Sequence, residues 1–152
     1  MRPDPARQRY ADALGHGIFK FWVPGIAVPE GNLSVSRHGH IYHTDDKRLT
    51  EWRYDIAWRA RKLMRENNYP VHAGPVAIVV DFVQYRPKAT AKSKPTPPAI
   101  KKPDVDKLMR SVLDALTHHV YVDDSQVVDL HARKRIAHHG EKTGATIEVE
   151  LM

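Results

Sequence analysis

The segment that most constrains the fold is an apolar run at residues 75–86, in which valine is the commonest residue. Valine and the other β-branched residues favour strands, and near-continuous apolar sequence is typical of a strand buried inside a sheet. Val76, Ile78, Val80 and Phe82 share one face of this strand. The run therefore predicts the central strand of the domain.

Two amphipathic helices are predicted, one on each side of this strand in the sequence. The first extends from Asp45 or Asp46 to about Asn67, and the second extends from Asp104 to about Thr117. Each shows apolar residues at the three–four spacing of a helix with one buried face. The predicted buried residues are Leu49, Trp52, Ile56, Ala60, Leu63 and Met64 in the first helix, and Val105, Leu108, Met109, Val112, Leu113 and Leu116 in the second.

Shorter patterns predict the remaining strands, at residues 19–23, 33–36, 40–43, 120–122, 126–136 and 145–151. The pieces at 33–36 and 40–43 flank His38-Gly39 and predict a hairpin. The order of elements predicts an α/β (α+β) single domain, in which a mixed β-sheet packs against two main helices.

Two segments differ from this pattern. Residues 1–18 form a polar N-terminal extension that we expect to be disordered. Residues 87–103 contain five prolines, five lysines and no acidic residue. This composition predicts a mobile, basic loop near the working surface, and the alternative is a solvated linker.

Composition limits the class of protein. The 152 residues are enough for one domain with a core, and the absence of cysteine excludes disulfide scaffolds and thiolate metal sites and fits a reducing cytoplasm. No apolar run approaches the ~20 residues of a membrane span, so we expect no membrane partner. The net charge of +6 favours an acidic partner, with nucleic acid ahead of an anionic membrane.

Two acidic pairs interrupt this basic composition. Asp104 and Asp106 begin the second helix, and Asp123 and Asp124 follow it. If the chain returns as a strand antiparallel to the helix, the four carboxylates meet. Two carboxylates ~4 Å apart repel by about 4 kcal/mol at an effective dielectric constant near 20, so such a cluster is expected to hold a cation or a proton. All-oxygen ligation favours Mg²⁺ or Mn²⁺ over zinc and suits phosphodiester hydrolysis.

Each of these residues also has a structural interpretation. Asp104 can cap the helix, and Asp106 in the first turn is favoured by the helix dipole. Arg110 can clamp a phosphate, or it can form an intrahelical salt bridge with Asp106 or Asp114. None of the histidines shows zinc-ligand spacing with a supporting ligand.

Three stretches together resemble the RusA-type Holliday junction resolvases of bacteria and their prophages. They are KPDVDKL at 102–108, LDAL at 113–116 and VYVDDSQVVD at 120–129. The FWVPG sequence at 21–25, the long first helix and the basic loop are also similar to members of that family. The resemblance covers roughly residues 19–152.

This resemblance implies a homodimeric, Mg²⁺-dependent endodeoxyribonuclease, for which Mn²⁺ can substitute. Such enzymes act in the cytoplasm of bacterial or phage-infected cells and resolve four-way DNA junctions by paired symmetric nicks during recombination and repair. The metal ligands would be Asp104, Asp106 and Asp124, with Asp123 as an adjoining acid. Arg110 stands where many members have an essential lysine, and it keeps the cation without a proton to surrender. The lysines expected at DNA are Lys92, Lys94, Lys101, Lys102 and Lys107.

The sequence departs from the family at two further places. Lys107 replaces a common asparagine, and His118-His119 occupies a turn where glycine is frequent. Two other functions remain open. One is a non-catalytic DNA-binding phage or prophage regulatory protein, in which the aspartates only cap a helix and form a turn. The other is a nuclease for different branched DNA.

Overall fold

The structure is a computed structural model that describes residues 17–31, 33–43 and 46–152. Nearly all of the predicted N-terminal extension, and Asp45 as a helix cap, lie outside the described residues. The elements are β1 (Ile18–Pro24), β2 (Leu33–Val35), β3 (Ile41–His43), α1 (Asp46–Glu66), β4 (Val76–Gln84), α2 (Val105–Leu116), a 3₁₀ helix (Asp124–Gln126), β5 (Val127–Ile136) and β6 (Gly144–Leu151).

The main sheet has four strands in the order β1-β6-β4-β5. β6 is antiparallel to both β1 and β4, whereas β5 is parallel to β4. β2 and β3 form a separate antiparallel pair, as predicted for residues 33–43. The predicted mixed sheet with two main helices in one domain is therefore confirmed.

Both helices and the sheet contribute to a single hydrophobic core. The four predicted inward residues of β4 are at most 1% exposed. α1 buries Leu49, Trp52, Ile56, Ala60 and Met64, and α2 buries Leu108, Met109, Val112, Ala115 and Leu116. Leu63, Val105 and Leu113 are half-buried at the edges of these stripes. No helix in the described part of the chain is long and apolar enough to span a membrane.

The acidic pairs belong to the crossover between β4 and β5. Parallel strands need a long connection, and here it consists of the basic loop, α2 and the turn that leads to the 3₁₀ helix. Asp104 and Asp106 stand where the loop enters α2, and Asp123 and Asp124 stand where the turn enters β5. One connection therefore positions every predicted metal ligand.

The predicted strand at 120–122 is wrong. Tyr121 forms only isolated bridges, with His72 and Thr117. The chain turns sharply after α2, where His118 has a positive φ of 69° and its amide donates to the Tyr121 carbonyl at 2.7 Å. Tyr121 is fully buried, which holds this segment at the C-terminal end of α2. The chain was expected to run back along α2 as a strand. Instead, the burial of Tyr121 keeps it at the C-terminal end of the helix.

The basic loop contains no helix or strand, but its main chain is bound to the body of the protein. The Arg86 guanidinium donates to the carbonyl oxygens of Ala91 and Lys94 at 3.2 and 3.1 Å, and to the Thr96 hydroxyl at 2.9 Å. Arg86 lies two residues after the end of β4. The loop therefore curls back over the end of the strand from which it leaves.

Candidate metal centre and DNA-binding surface

Asp104 and Asp106 begin α2 with exposed side chains. Asp104 occupies the N-cap position with φ −70° and ψ 141°, and its carbonyl accepts the Leu108 amide at 3.1 Å. Its carboxylate makes no capping hydrogen bond. Lys107 Nζ lies 3.8 Å from Asp104 Oδ2. Asp104 thus occupies the N-cap position through its backbone alone. Its carboxylate is not used by the cap and is available for a cation.

Asp123 is occupied in a different way, because it closes a capping box with Gln126. Asp123 Oδ1 accepts the Ser125 amide at 2.8 Å, and Gln126 Oε1 accepts the Asp123 amide at 2.9 Å. The hydrogen bonds from Ser125, first from its amide and then from its hydroxyl, lower the pKa of Asp123. Asp124 is the exposed first residue of the 3₁₀ helix and has no capping role. Asp124 is therefore the acid of this pair whose carboxylate is not used by the cap.

The Gln126 side chain fixes the turn that carries these acids. Its Oε1 also accepts the Val122 amide at 2.9 Å, and its Nε2 donates to the carbonyl oxygens of His72 and Gly74 at 2.8 and 2.9 Å. Tyr121 adds a hydrogen bond from Oη to the Leu113 carbonyl at 2.8 Å. Burial raises the pKa of the Tyr121 phenol, so the hydroxyl stays a donor.

The two acidic pairs lie at opposite ends of α2. Asp104 and Asp106 are at its start, whereas Tyr121 ties the other pair to Leu113, in the last turn. A helix of 12 residues is roughly 18 Å long. β5 gives a second estimate, because Val127 at its start follows the 3₁₀ helix and Lys134 contacts the Pro103 carbonyl beside Asp104. Seven residues of strand cover roughly 23 Å, and the side chain with which Lys134 reaches Pro103 shortens this distance by only a minor part.

These lengths exclude one metal ion bound by both pairs of the same chain. Ligand oxygens lie about 2 Å from Mg²⁺, so opposing oxygens are ~4 Å apart. In the described part of the chain, no group of three or more acidic or histidine side chains is close enough to hold a metal ion. The expectation that the chain folds back and joins its own carboxylates is therefore wrong, because the turn at Tyr121 stays at the far end of α2.

Arg110 lies one turn after Asp106 with an exposed side chain. Within the described residues it forms no ion pair, and Asp114 lies 3.7 Å from Arg53 instead. The intrahelical salt bridge that would account for Arg110 structurally is absent from this part of the chain. Arg110 is therefore available for a phosphate beside the acids of α2.

A cavity of about 310 Å³ opens beside Asp104. Its apolar wall consists of Ile26, Ala27, Pro29 and Pro103, and Arg48, Lys102 and Lys107 add positive charge. The other predicted DNA-binding lysines, Lys92, Lys94 and Lys101, are exposed on the basic loop that leads to this cavity. Cationic side chains thus surround the start of α2.

The sequence profile of the endodeoxyribonuclease RusA family matches residues 24–151, which is most of the chain. This chain belongs to the RusA endodeoxyribonuclease family. It is similar to the protein YqaN of Bacillus subtilis strain 168, with 33% identity over 124 residues that cover 76% of this chain and 85% of that protein. Membership of the RusA family points to an endodeoxyribonuclease with branched DNA as its partner.

Sequence reasoning missed two side chains that form hydrogen bonds to the main chain beside the acidic pairs. Gln126 stands three residues after Asp123, which is the spacing of a capping box and was visible in the sequence. Lys134 alternates with Ala132 and Ile136 on the inward side of β5, where a lysine is unusual. Its inward position indicated that the ammonium must have polar partners. Those partners are about thirty residues away in the sequence, so only the structure identifies them.

Proposed function

We propose that this protein is a Mg²⁺-dependent endodeoxyribonuclease that resolves four-way DNA junctions by paired symmetric nicks. The observation that carries the proposal is the pair of exposed carboxylates at the start of α2, beside a cation-lined cavity, in a RusA family member. The enzyme would act in DNA recombination and repair. It would work in the cytoplasm of a bacterial or phage-infected cell, and its gene would be of prophage origin.

The residues divide into two roles. Asp104, Asp106 and Asp124 would hold the metal, with Asp123 adjoining it, and Mn²⁺ would replace Mg²⁺ because both accept all-oxygen ligands. The bound ion supplies an activated water and stabilises charge on the phosphate. Arg110 would bind the phosphate at the cleavage site, and the lysines named above would hold the flanking backbone.

The separation of the acidic pairs supports a homodimer whose sites are shared. A two-fold axis that brings the start of α2 from one copy to the 3₁₀ helix of the other also creates a second, identical contact. Each contact would join Asp104 and Asp106 of one copy to Asp124 of the other. Two such sites match two symmetric nicks.

Replacement of Asp106 tests the catalytic proposal. Asp106→Asn should reduce cleavage of a synthetic four-way junction by at least about a thousandfold, because it removes a negative metal ligand. Junction binding in EDTA should change little. Asp114→Asn, on the same helix, is the matched control and should cleave normally. Undiminished cleavage by Asp106→Asn would exclude the proposed site.

Mixing two inactive variants tests the shared site. In a heterodimer of Asp106→Asn and Asp124→Asn subunits, a shared arrangement places both substitutions in one site and leaves the other site intact. The mixture should therefore regain single-strand nicking, with about a quarter of all sites intact after random reassortment. If each chain builds its own site, every site carries a defect and no activity returns.

One observation favours a non-catalytic DNA-binding protein: within one chain, the two acidic pairs are too far apart to share a metal ion. This alternative predicts binding to junctions that weakens with salt, without nicking in Mg²⁺ or Mn²⁺. Comparison of four-way, three-way and linear DNA with the purified protein distinguishes this alternative. The same comparison identifies a nuclease for other branched DNA.

A further inference from the structure

Lys134 is a lysine on the core-facing side of a β-strand. Its Cα pairs with that of Phe82, which is 1% exposed, and the neighbouring Ala132 packs against the core. The Lys134 ammonium donates to the carbonyl oxygens of Lys101 and Pro103 at 2.7 and 2.8 Å. The side chain thus joins β5 to the last residues before Asp104.

Arg86 holds the loop as far as Thr96, but between Thr96 and Asp104 the main chain has few hydrogen bonds, one of them from the Ile100 amide to the Pro98 carbonyl at 3.0 Å. Pro97, Pro98 and Pro103 have no amide hydrogen to donate, and residues 95–100 contain no helix, strand or turn. The ammonium provides three donors, which suits two carbonyl acceptors on either side of Lys102. Because Asp104 follows Pro103 directly, this contact fixes the main chain where the proposed metal site begins.

We infer that Lys134 is a positioning residue of the metal site, which sets the place of the Asp104 carboxylate through the main chain without touching metal or DNA. This inference rests on the proposed function. Metal ligands must stand within about 0.5 Å of their working geometry. Lys101 and Lys102 reach phosphates through long flexible stems, which absorb larger shifts of the main chain. Loss of Lys134 should therefore affect metal use more than DNA binding.

The first test compares Lys134→Met with Arg133→Met. Arg133 is the adjacent residue of β5, points to the opposite face of the sheet and is paired with Asp81 at 2.8 Å. Each variant removes one positive charge from the same strand, so the effect of charge alone cancels. Lys134→Met should raise the Mg²⁺ concentration for half-maximal junction cleavage at least about tenfold over Arg133→Met. Junction affinity in EDTA should agree between the two variants within about threefold.

Chemical rescue separates the ammonium from the bulk of the side chain. The protein has no cysteine, so Lys134→Cys introduces a unique thiol. In denaturant, the thiolate displaces bromide from 2-bromoethylamine to form a carbon–sulfur bond, and the product carries an ammonium at nearly the length of lysine. After refolding, this form should regain the wild-type Mg²⁺ requirement. The neutral product of iodoacetamide should not, and equal rescue by both reagents would overturn the inference.

Hydrogen exchange tests the inference without any activity. Amides in residues 99–108 should exchange faster in Lys134→Met than in Arg133→Met, because the Lys101 and Pro103 carbonyls lose their anchor. If the wild-type protein cleaves no DNA, the proposed function fails, and exchange still decides the role of Lys134. Equal exchange and equal Mg²⁺ requirements in the two variants would overturn it. If Lys134→Met does not fold, the two alkylated forms of Lys134→Cys provide the same comparison.

Discussion

The two acidic pairs contain the same chemical group but are held in different ways. At the start of α2 neither carboxylate caps the helix, and the backbone of Asp104 is held through the contact of Lys134 with its neighbours. At the 3₁₀ helix, Asp123 uses its carboxylate in a capping box and leaves Asp124 exposed. The cap therefore leaves one of the two adjacent aspartates exposed and uncommitted, whereas neither carboxylate of the Asp-x-Asp sequence is used by a cap.

The supports also differ in their distance along the sequence. The capping box at Asp123 is complete within four residues, and Gln126 then ties it to His72 and Gly74. The start of α2 has no such box, and its hydrogen bonds come from distant residues. Lys134, about thirty residues later, donates to Lys101 and Pro103, and the Glu30 amide donates to the Lys107 carbonyl at 3.0 Å. The turn at Asp123 is therefore held partly by its immediate neighbours, whereas the start of α2 is held by residues that are distant in the sequence.

The sharpest test of this contrast exchanges neighbouring acids for amides. Asp124→Asn should lower junction cleavage at least about a hundredfold, because it removes a charged metal ligand. Asp123→Asn should keep cleavage within about tenfold of wild type, because its carboxylate serves the cap and asparagine is also a good N-cap residue. Rates per folded molecule, measured in saturating Mg²⁺, provide the comparison.

The reverse order of effects would assign the metal to Asp123 and contradict the division of roles within the pair. Asp114→Asn serves again as the control for removal of an exposed acid from this region. Circular dichroism of each variant confirms that the comparison is made between folded proteins.

Much of the fold could be predicted from the sequence, because periodicity reports burial directly. Val76, Ile78, Val80 and Phe82 alternate as a core strand should, and most residues of both helical stripes are buried as expected. The segment at 120–122 misled the prediction, since Val-Tyr-Val has strand composition. Its conformation is decided by burial of Tyr121 against α2 and by the left-handed turn at His118, which neither composition nor periodicity reports.

The types of residue in the candidate site could be predicted from the sequence, but the distances between them could not. The spacing of Asp104 and Asp106 on a helix start follows from the sequence, and so does the exposure of Arg110. The distance between the acidic pairs does not, because it depends on where the chain turns after α2. Lys134 shows the same limit, since its partners at Lys101 and Pro103 are defined only when β5 packs beside the loop.

Gln126→Leu tests the support of the acidic pair at the 3₁₀ helix, both from the capping box and from His72 and Gly74. It removes four hydrogen bonds, to two amides and two carbonyls, from a half-buried site, so the free energy of unfolding should fall by about 2 kcal/mol. Lys134→Met removes two hydrogen bonds at the other pair and should cost about 1 kcal/mol. Urea denaturation of both variants measures the difference.

Gln84→Leu is the matched control for Gln126→Leu. Gln84 is half-buried at the end of β4, and its side chain forms no hydrogen bond within the described residues. Its replacement should leave the unfolding free energy nearly unchanged. An equal loss in the two glutamine variants would show that polarity at a half-buried position, rather than the bonds of Gln126, accounts for the effect.

The smallest expected effect is a change in acid sensitivity at the capping box. The pKa of Asp123 lies below its ordinary value of 3.8 because Ser125 donates to its carboxylate, so the folded state binds this proton less readily than the unfolded state. The contribution of Asp123 to stability is therefore complete above about pH 5 and is lost as the pH falls through the folded pKa. Asp123→Asn has no such group, and its melting temperature should fall less steeply than that of wild type between about pH 5 and pH 2.

Ser125→Ala keeps the amide donor and removes the hydroxyl, and should give an intermediate slope. Parallel melting curves for wild type and Asp123→Asn across this range would show that the capping hydrogen bond does not set the pKa of Asp123.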